Sequence, residues 1–161
     1  LANFRRSIKV VNPSAEVIFE DEEGEMEDIF ADQMPFDLDA DIVDIPPEDY
    51  GIWFVDAMDH PDRYVGKTLR FKARARRPRG MGSKFFIPGR TAMTCCADDT
   101  SFLGYICKSA YAPKLKQGEW VEVTAKAAYE NRTEYQGEGI VLYAENVSPC
   151  EPLADEMVYF N

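Results

Sequence analysis

Residues 90–104, Arg-Thr-Ala-Met-Thr-Cys-Cys-Ala-Asp-Asp-Thr-Ser-Phe-Leu-Gly, hold the densest set of coordinating and reactive atoms in the chain. The Cys95 and Cys96 thiolates with the Asp98 and Asp99 carboxylates would offer soft and hard donors to one metal ion. A transition-metal ion such as zinc is the cofactor such a set would take. Cys95, Cys96 and Asp98 are the candidate metal ligands, and Arg90 and Asp99 complete the candidate ligand site. Adjacent residues on a strand point to opposite faces, so both sulfurs reach one ion only at a turn. The spacing also lacks the usual C-x-x-C form. The plainer reading makes one cysteine a small buried hydrophobe, with the acids capping a short helix over 98–103. Cys107 and Cys150 bring the total to four, too few for a disulfide framework at this length.

A second constellation is cationic. Arg63, Lys67, Arg70, Lys72, Arg74, Arg76, Arg77, Arg79, Lys84 and Arg90 follow one another with no acid between Asp62 and Asp98. Strand 67–79, with Phe85 and Phe86 beside it, would give a single-stranded nucleic acid cations for its phosphates and rings for its bases. Arg70, Lys72, Arg74, Arg76, Phe85 and Phe86 are the residues of that alternative. The competing explanation is that the acidic stretch 16–49 lies across this face and neutralises it, which disfavours nucleic acid as the partner.

A catalytic set does not emerge. His60 is the sole histidine and precedes Pro61, the place of a helix-terminal residue more than of a base for Cys95 or Cys96. Gly80-Met81-Gly82 is a hairpin-type loop without the lysine of a phosphate-cradling motif. The aromatic residues Tyr105, Tyr111, Trp120, Tyr129, Tyr135 and Tyr143 read as core and rim.

The elements that must position these groups change character along the chain. Residues 1–62 carry 18 acids against Arg5, Arg6 and Lys9, a net of 3 − 18 = −15, while the rest of the chain nets 15 − 11 = +4. An acidic N-terminal arm, residues 1–39, joined to a more basic body, residues 40–161, follows from that split. Short strands are predicted at 8–11, 17–19 and 41–45. Pro47-Glu48-Asp49 opens an amphipathic helix over 48–59, with proline and acids in its first turn and Ile52, Trp53, Val55, Ala57 and Met58 on the apolar side. Its natural place is as a plug against the end of a barrel.

From residue 67 the period is two. Leu69, Phe71, Ala73 and Ala75 alternate with Arg70, Lys72, Arg74 and Arg76 in a half-buried strand with one basic face. Further strands are predicted at 84–94, interrupted by Pro88-Gly89 at an edge or bulge, and at 102–107, 120–128 and 139–147. Five short strands without a long helix between them predict a mainly β fold, an OB-like five-stranded barrel with one short packed helix. At 161 residues the chain is long enough for one real core. It has no run of about 18 apolar residues, so it does not span a membrane as an apolar helix.

Several pieces occur in order: Pro61-Asp62-Arg63-Tyr64-Val65-Gly66-Lys67, then Arg90 followed by Cys95-Cys96-Ala97-Asp98, then Gly118-Glu119-Trp120-Val121-Glu122-Val123, and a 152–159 tail. Together they resemble the YcgQ-like family, the partner subunit of two-component permeases, over roughly residues 40–161. The Cys-Cys-Ala-Asp element is the specific part, and it carries onto Arg90, Cys95, Cys96 and Asp98. The resemblance implies a soluble OB-like domain tethered at a membrane and working beside a permease subunit. With no catalytic set in the chain, the expectation is a non-enzymatic, membrane-associated binding domain on the extracytoplasmic side. The resemblance also implies N-terminal membrane helices, an anchor this chain does not contain, and it does not account for the acidic arm.

Overall fold

The computed structural model describes residues 34–93 and 100–159, the Tyr159 side chain excepted. The predicted strands at 8–11 and 17–19 lie outside these residues, as do Cys95, Cys96, Asp98 and Asp99. The mainly β architecture expected from the period-two patterns is what forms. Five strand positions close into a barrel with the short helix packed on it.

The chain enters through β1 (Ile42–Asp44), passes a 3-10 turn (Pro47–Asp49) and continues as α1 (Tyr50–Asp59). β2 (Thr68–Arg76), β3 (Phe85–Met93), β4 (Thr100–Gly104), β5 (Ile106–Lys108), β6 (Trp120–Arg132), β7 (Gly137–Pro149) and β8 (Met157–Tyr159) follow. β2 pairs antiparallel with β6, β6 with β7, β7 parallel with β5, and β5 antiparallel with β3. β3 returns to β2 at Arg74↔Gly89 to Arg76↔Ile87, which closes the ring. β1 adds to β2 in parallel, and β4 and β8 flank the far half of β3.

The alternation that predicted β2 decides its packing. Leu69, Phe71, Ala73 and Ala75 are buried, while Arg70, Lys72, Arg74 and Arg76 stay on the outer surface. The predicted third strand is two strands, β4 and β5, because the chain breaks at Tyr105. A continuous apolar run hides such a break. No helix forms over residues 100–103, which belong to β4, so the alternative of a capped 98–103 helix is corrected.

Pro88 sits within β3 and not at a sheet edge, a second correction. It lies where the partner of β3 changes, between Phe85–Phe86 facing β5 and Gly89–Met93 facing β4. A residue without an N–H fits that joint, since no ladder bond is demanded on that side. Gly89 and Gly104 pair there. A Cβ on Gly89 would come within 2.5 Å of the Leu103 carbonyl oxygen, and one on Gly104 within 2.6 Å of that of Pro88. Only glycine allows the backbones this close.

α1 plugs the barrel with Tyr50, Trp53, Phe54 and Ala57. The Trp53 ring lies 5.0 Å from Phe71 and 5.6 Å from Tyr105, and Phe54 stacks on Tyr105 at 4.6 Å. Each such ring contributes about 2–3 kcal/mol by burial, so three of them outweigh the weak intrinsic stability of a ten-residue helix. Ile52, assigned by pattern to the apolar side, is exposed; Tyr50 and Phe54 take that place. The Tyr105 hydroxyl donates to the Phe54 carbonyl at 2.5 Å, and Tyr50 donates to Leu103 at 2.8 Å. Within α1, Asp56 accepts hydrogen bonds from Tyr64 and Arg63 of the segment that follows the helix, both at 2.6 Å.

Candidate functional site

The outward cations of β2 form a ladder whose members have different partners. Arg70 is engaged by Asp44 of β1 through two bonds of 2.6 and 2.8 Å, which raise its pKa. Lys67 donates to the Leu38 carbonyl at 2.7 Å. The end of the acidic stretch therefore lies against the start of the basic strand. Lys72 sits opposite Glu122 in the β2–β6 register, where opposite charges attract.

Arg74 donates through Nε to the Gly118 carbonyl at 3.1 Å and meets the Glu156 carboxylate at 3.5 Å. Its guanidinium carbon stands 5.9 Å from the Trp120 ring. Arg76 lies over the Phe102 ring at 4.0 Å and pairs with no carboxylate among the described residues. Burial, and then the charge of Arg74, lower the Arg76 pKa.

These side chains frame a depression of about 240 Å³ lined by Arg74, Ala75, Arg76, Thr91, Phe102, Gln117 and Gly118. Gln117 is held by the Arg77 backbone N–H, which donates to its Oε1 at 2.6 Å. Gly118 has φ +83° and leaves room for Arg74, whose Nη2 would be 3.0 Å from a Cβ there. Thr91 and Phe102 are paired across β3 and β4.

Arg90 is placed differently. It is 2% exposed, and its guanidinium donates to the Pro47 carbonyl at 3.0 Å and to those of Asp155, Glu156 and Met157 at 3.3–3.4 Å. The Tyr50 ring lies 5.6 Å away. Arg90 thus fastens β3 to the C-terminal tail and to the entrance of α1. Burial lowers its pKa.

Cys95, Cys96, Asp98 and Asp99 lie outside the described residues, but their anchoring points are set. Met93 of β3 pairs with Thr100 of β4, and the six residues 94–99 join those two positions. Thr91 and Phe102, two residues inward on either strand, are walls of the depression.

Of the rings in the nucleic-acid alternative, Phe86 is fully buried, the first of five consecutive buried residues of β3, and presents no face to a base. Phe85 is half-buried, with Arg132 at 4.5 Å and Lys108 at 5.9 Å from its ring. Tyr105 and Tyr135 are buried, whereas Tyr129 and Tyr143 are exposed. His60 is half-buried at the end of α1. The Cys107 thiol is sealed in the core, and burial pushes its pKa up. Among the described residues no three His, Cys, Asp or Glu side chains converge as a metal site.

The DUF1980 C-terminal domain family matches residues 22–160, nearly the whole chain. The chain belongs to that family. Curated proteins give no significant match. Among solved structures, this DUF1980 domain is similar to an aspartyl tRNA synthetase from Entamoeba histolytica, at 14% identity and a TM-score of 0.37. That match covers 65% of this chain and 22% of the synthetase, so the chain spans about a fifth of that protein. A mitochondrial single-stranded DNA binding protein from S. cerevisiae, Rim1, matches at 11% identity and a TM-score of 0.33, over 51% of this chain and 91% of Rim1. No helix among the described residues of the DUF1980 domain is long and apolar enough to cross a membrane.

Arg74 and Arg76 stand out in the sequence as part of the cationic run, whereas Thr91, Phe102, Gln117 and Gly118 do not. Their convergence comes from β2–β3 pairing at the far end of β2, and no local motif signals it.

Proposed function

We propose that this DUF1980 domain is a non-enzymatic binding module that assists a membrane permease, as its resemblance to the YcgQ-like family implies. Its ligand contact is the 95–99 segment, with Cys95, Cys96 and Asp98 as donors to a transition-metal ion such as zinc or to a small ligand. One observation carries this reading. Met93 and Thr100, the residues that flank the segment in sequence, pair with each other two residues beyond Thr91 and Phe102, which line the outward depression. The extracytoplasmic, membrane-associated placement and the permease partner rest on the resemblance.

The donor set suits zinc chemically, since two thiolates and a carboxylate are ordinary zinc ligands. Calorimetric titration of the reduced protein with zinc tests the reading, alongside a Cys95→Ser/Cys96→Ser variant. Uptake by the parent that is lost in the variant is the expected result. Equal, negligible uptake by both would overturn it.

A further inference from the structure

We propose that the depression between the end of β2, the β3–β4 pair and the 117–118 turn is a binding site for a phosphate monoester, with Arg74 and Arg76 as its anion-binding side chains. The site uses only described residues and stands apart from the cysteine reading, which concerns metal donors in residues 94–99.

The first support is the unequal use of the β2 cations. Arg70 has a bidentate carboxylate and Lys72 faces Glu122, yet Arg76 has no acid among the described residues. Phe102 holds the Arg76 guanidinium by a cation–π contact at 4.0 Å, which positions the charge without neutralising it. Placing Arg74 beside it adds a like charge, and among the described residues only the exposed Glu156 carboxylate, 3.5 Å from Arg74, offsets the two. A planar guanidinium offers paired N–H donors that match phosphate oxygens, so two of them suit a dianion.

The second support is shape. Gly118 admits the Arg74 side chain where any Cβ would crowd it. Gln117 spends its oxygen on the Arg77 N–H, so its amide NH2 remains a donor for a ligand oxygen. Thr91 adds a hydroxyl, and the Phe102 ring gives an apolar wall. A volume of about 240 Å³ holds more than a bare oxyanion, which favours an ester with an apolar or aromatic group.

The third support is a carboxylate already present. Glu156 approaches Arg74 at 3.5 Å from an exposed position, as a weak internal anion that a dianion can displace.

Phenyl phosphate, inorganic phosphate, benzoate and oligothymidylate are titrated into the intact chain, followed by amide shifts at low and high salt. Phenyl phosphate is expected to bind most tightly, with affinity falling as salt rises and shifts centred on Thr91, Phe102 and Gln117. Arg76→Met and Arg74→Met should each weaken it by about tenfold or more. Lys126→Met, which removes the same charge from exposed β6, should leave it unchanged, and Glu156→Gln should tighten it about threefold. Thermal melts establish that every variant is folded. Binding by Arg76→Met equal to the parent, or no shifts with millimolar phenyl phosphate, would overturn the proposal. Oligothymidylate binding more tightly than the monoester would overturn it in favour of a nucleic-acid surface.

Discussion

The Arg90 guanidinium donates to the Pro47 carbonyl at 3.0 Å across 43 residues of sequence. With the carbonyls of Asp155, Glu156 and Met157 it ties three segments together from one buried charge. Arg90→Met would leave those carbonyls short of donors, at a cost of about 3 kcal/mol. Arg90→Lys should recover little of this, because a point-like ammonium cannot span the same acceptors. Urea unfolding measures both, and a loss below about 1 kcal/mol would contradict the fastening role.

Tyr135 bridges strands that the break at Tyr105 would leave incomplete. Its hydroxyl accepts the Ile106 N–H at 2.8 Å and donates to the Ile140 carbonyl at 2.8 Å. Tyr135→Phe strands a buried N–H and should cost about 2–3 kcal/mol, whereas Tyr105→Phe, losing one bond to Phe54, should cost about 1 kcal/mol. Paired urea melts check the order, and the reverse order would refute the bridge.

Alkali should unfold the domain cooperatively. Burial raises the pKa values of Tyr50, Tyr64, Tyr105 and Tyr135, with the bond to Asp56 adding at Tyr64. Cys107 shifts the same way by burial. The unfolded chain releases these protons near pH 9 for the thiol and near pH 10 for the phenols, while the folded chain keeps them. Above those values the folded state therefore binds more protons, and stability falls by about 1.4 kcal/mol per pH unit for each group. It is fully present below about pH 9. Tyrosine absorbance against pH should show these four phenols ionising only with unfolding; their ionisation near pH 10 in folded protein would contradict the packing.

The Gly89↔Gly104 contact admits no side chain. Gly89→Ala should cost about 3 kcal/mol by forcing β3 from β4, read as a lower midpoint in thermal unfolding. An unchanged midpoint would mean the strands separate freely there.

The barrel was legible because Leu69, Phe71, Ala73 and Ala75 face one way at period two, a pattern only a half-buried strand satisfies. The same rule already sends one of Phe85 and Phe86 inward. Less legible was β8, three residues long, which depends on Arg90 holding the carbonyls before it. Arg90 falls in the candidate site through the Arg…Cys-Cys-Ala-Asp element of the resemblance, while its partners in the fold are carbonyls distant in sequence. The depression at Arg76 was invisible for a related reason: Phe102 and Gln117 reach it only through strand pairing.

The most direct test of the binding account is an amide shift map of the reduced protein during zinc titration. Perturbation concentrated in residues 90–104, including Thr91 and Phe102 on the paired strands, is the expected result. No perturbation, or one centred on the exposed Tyr129 and Tyr143 of β6 and β7, would contradict it.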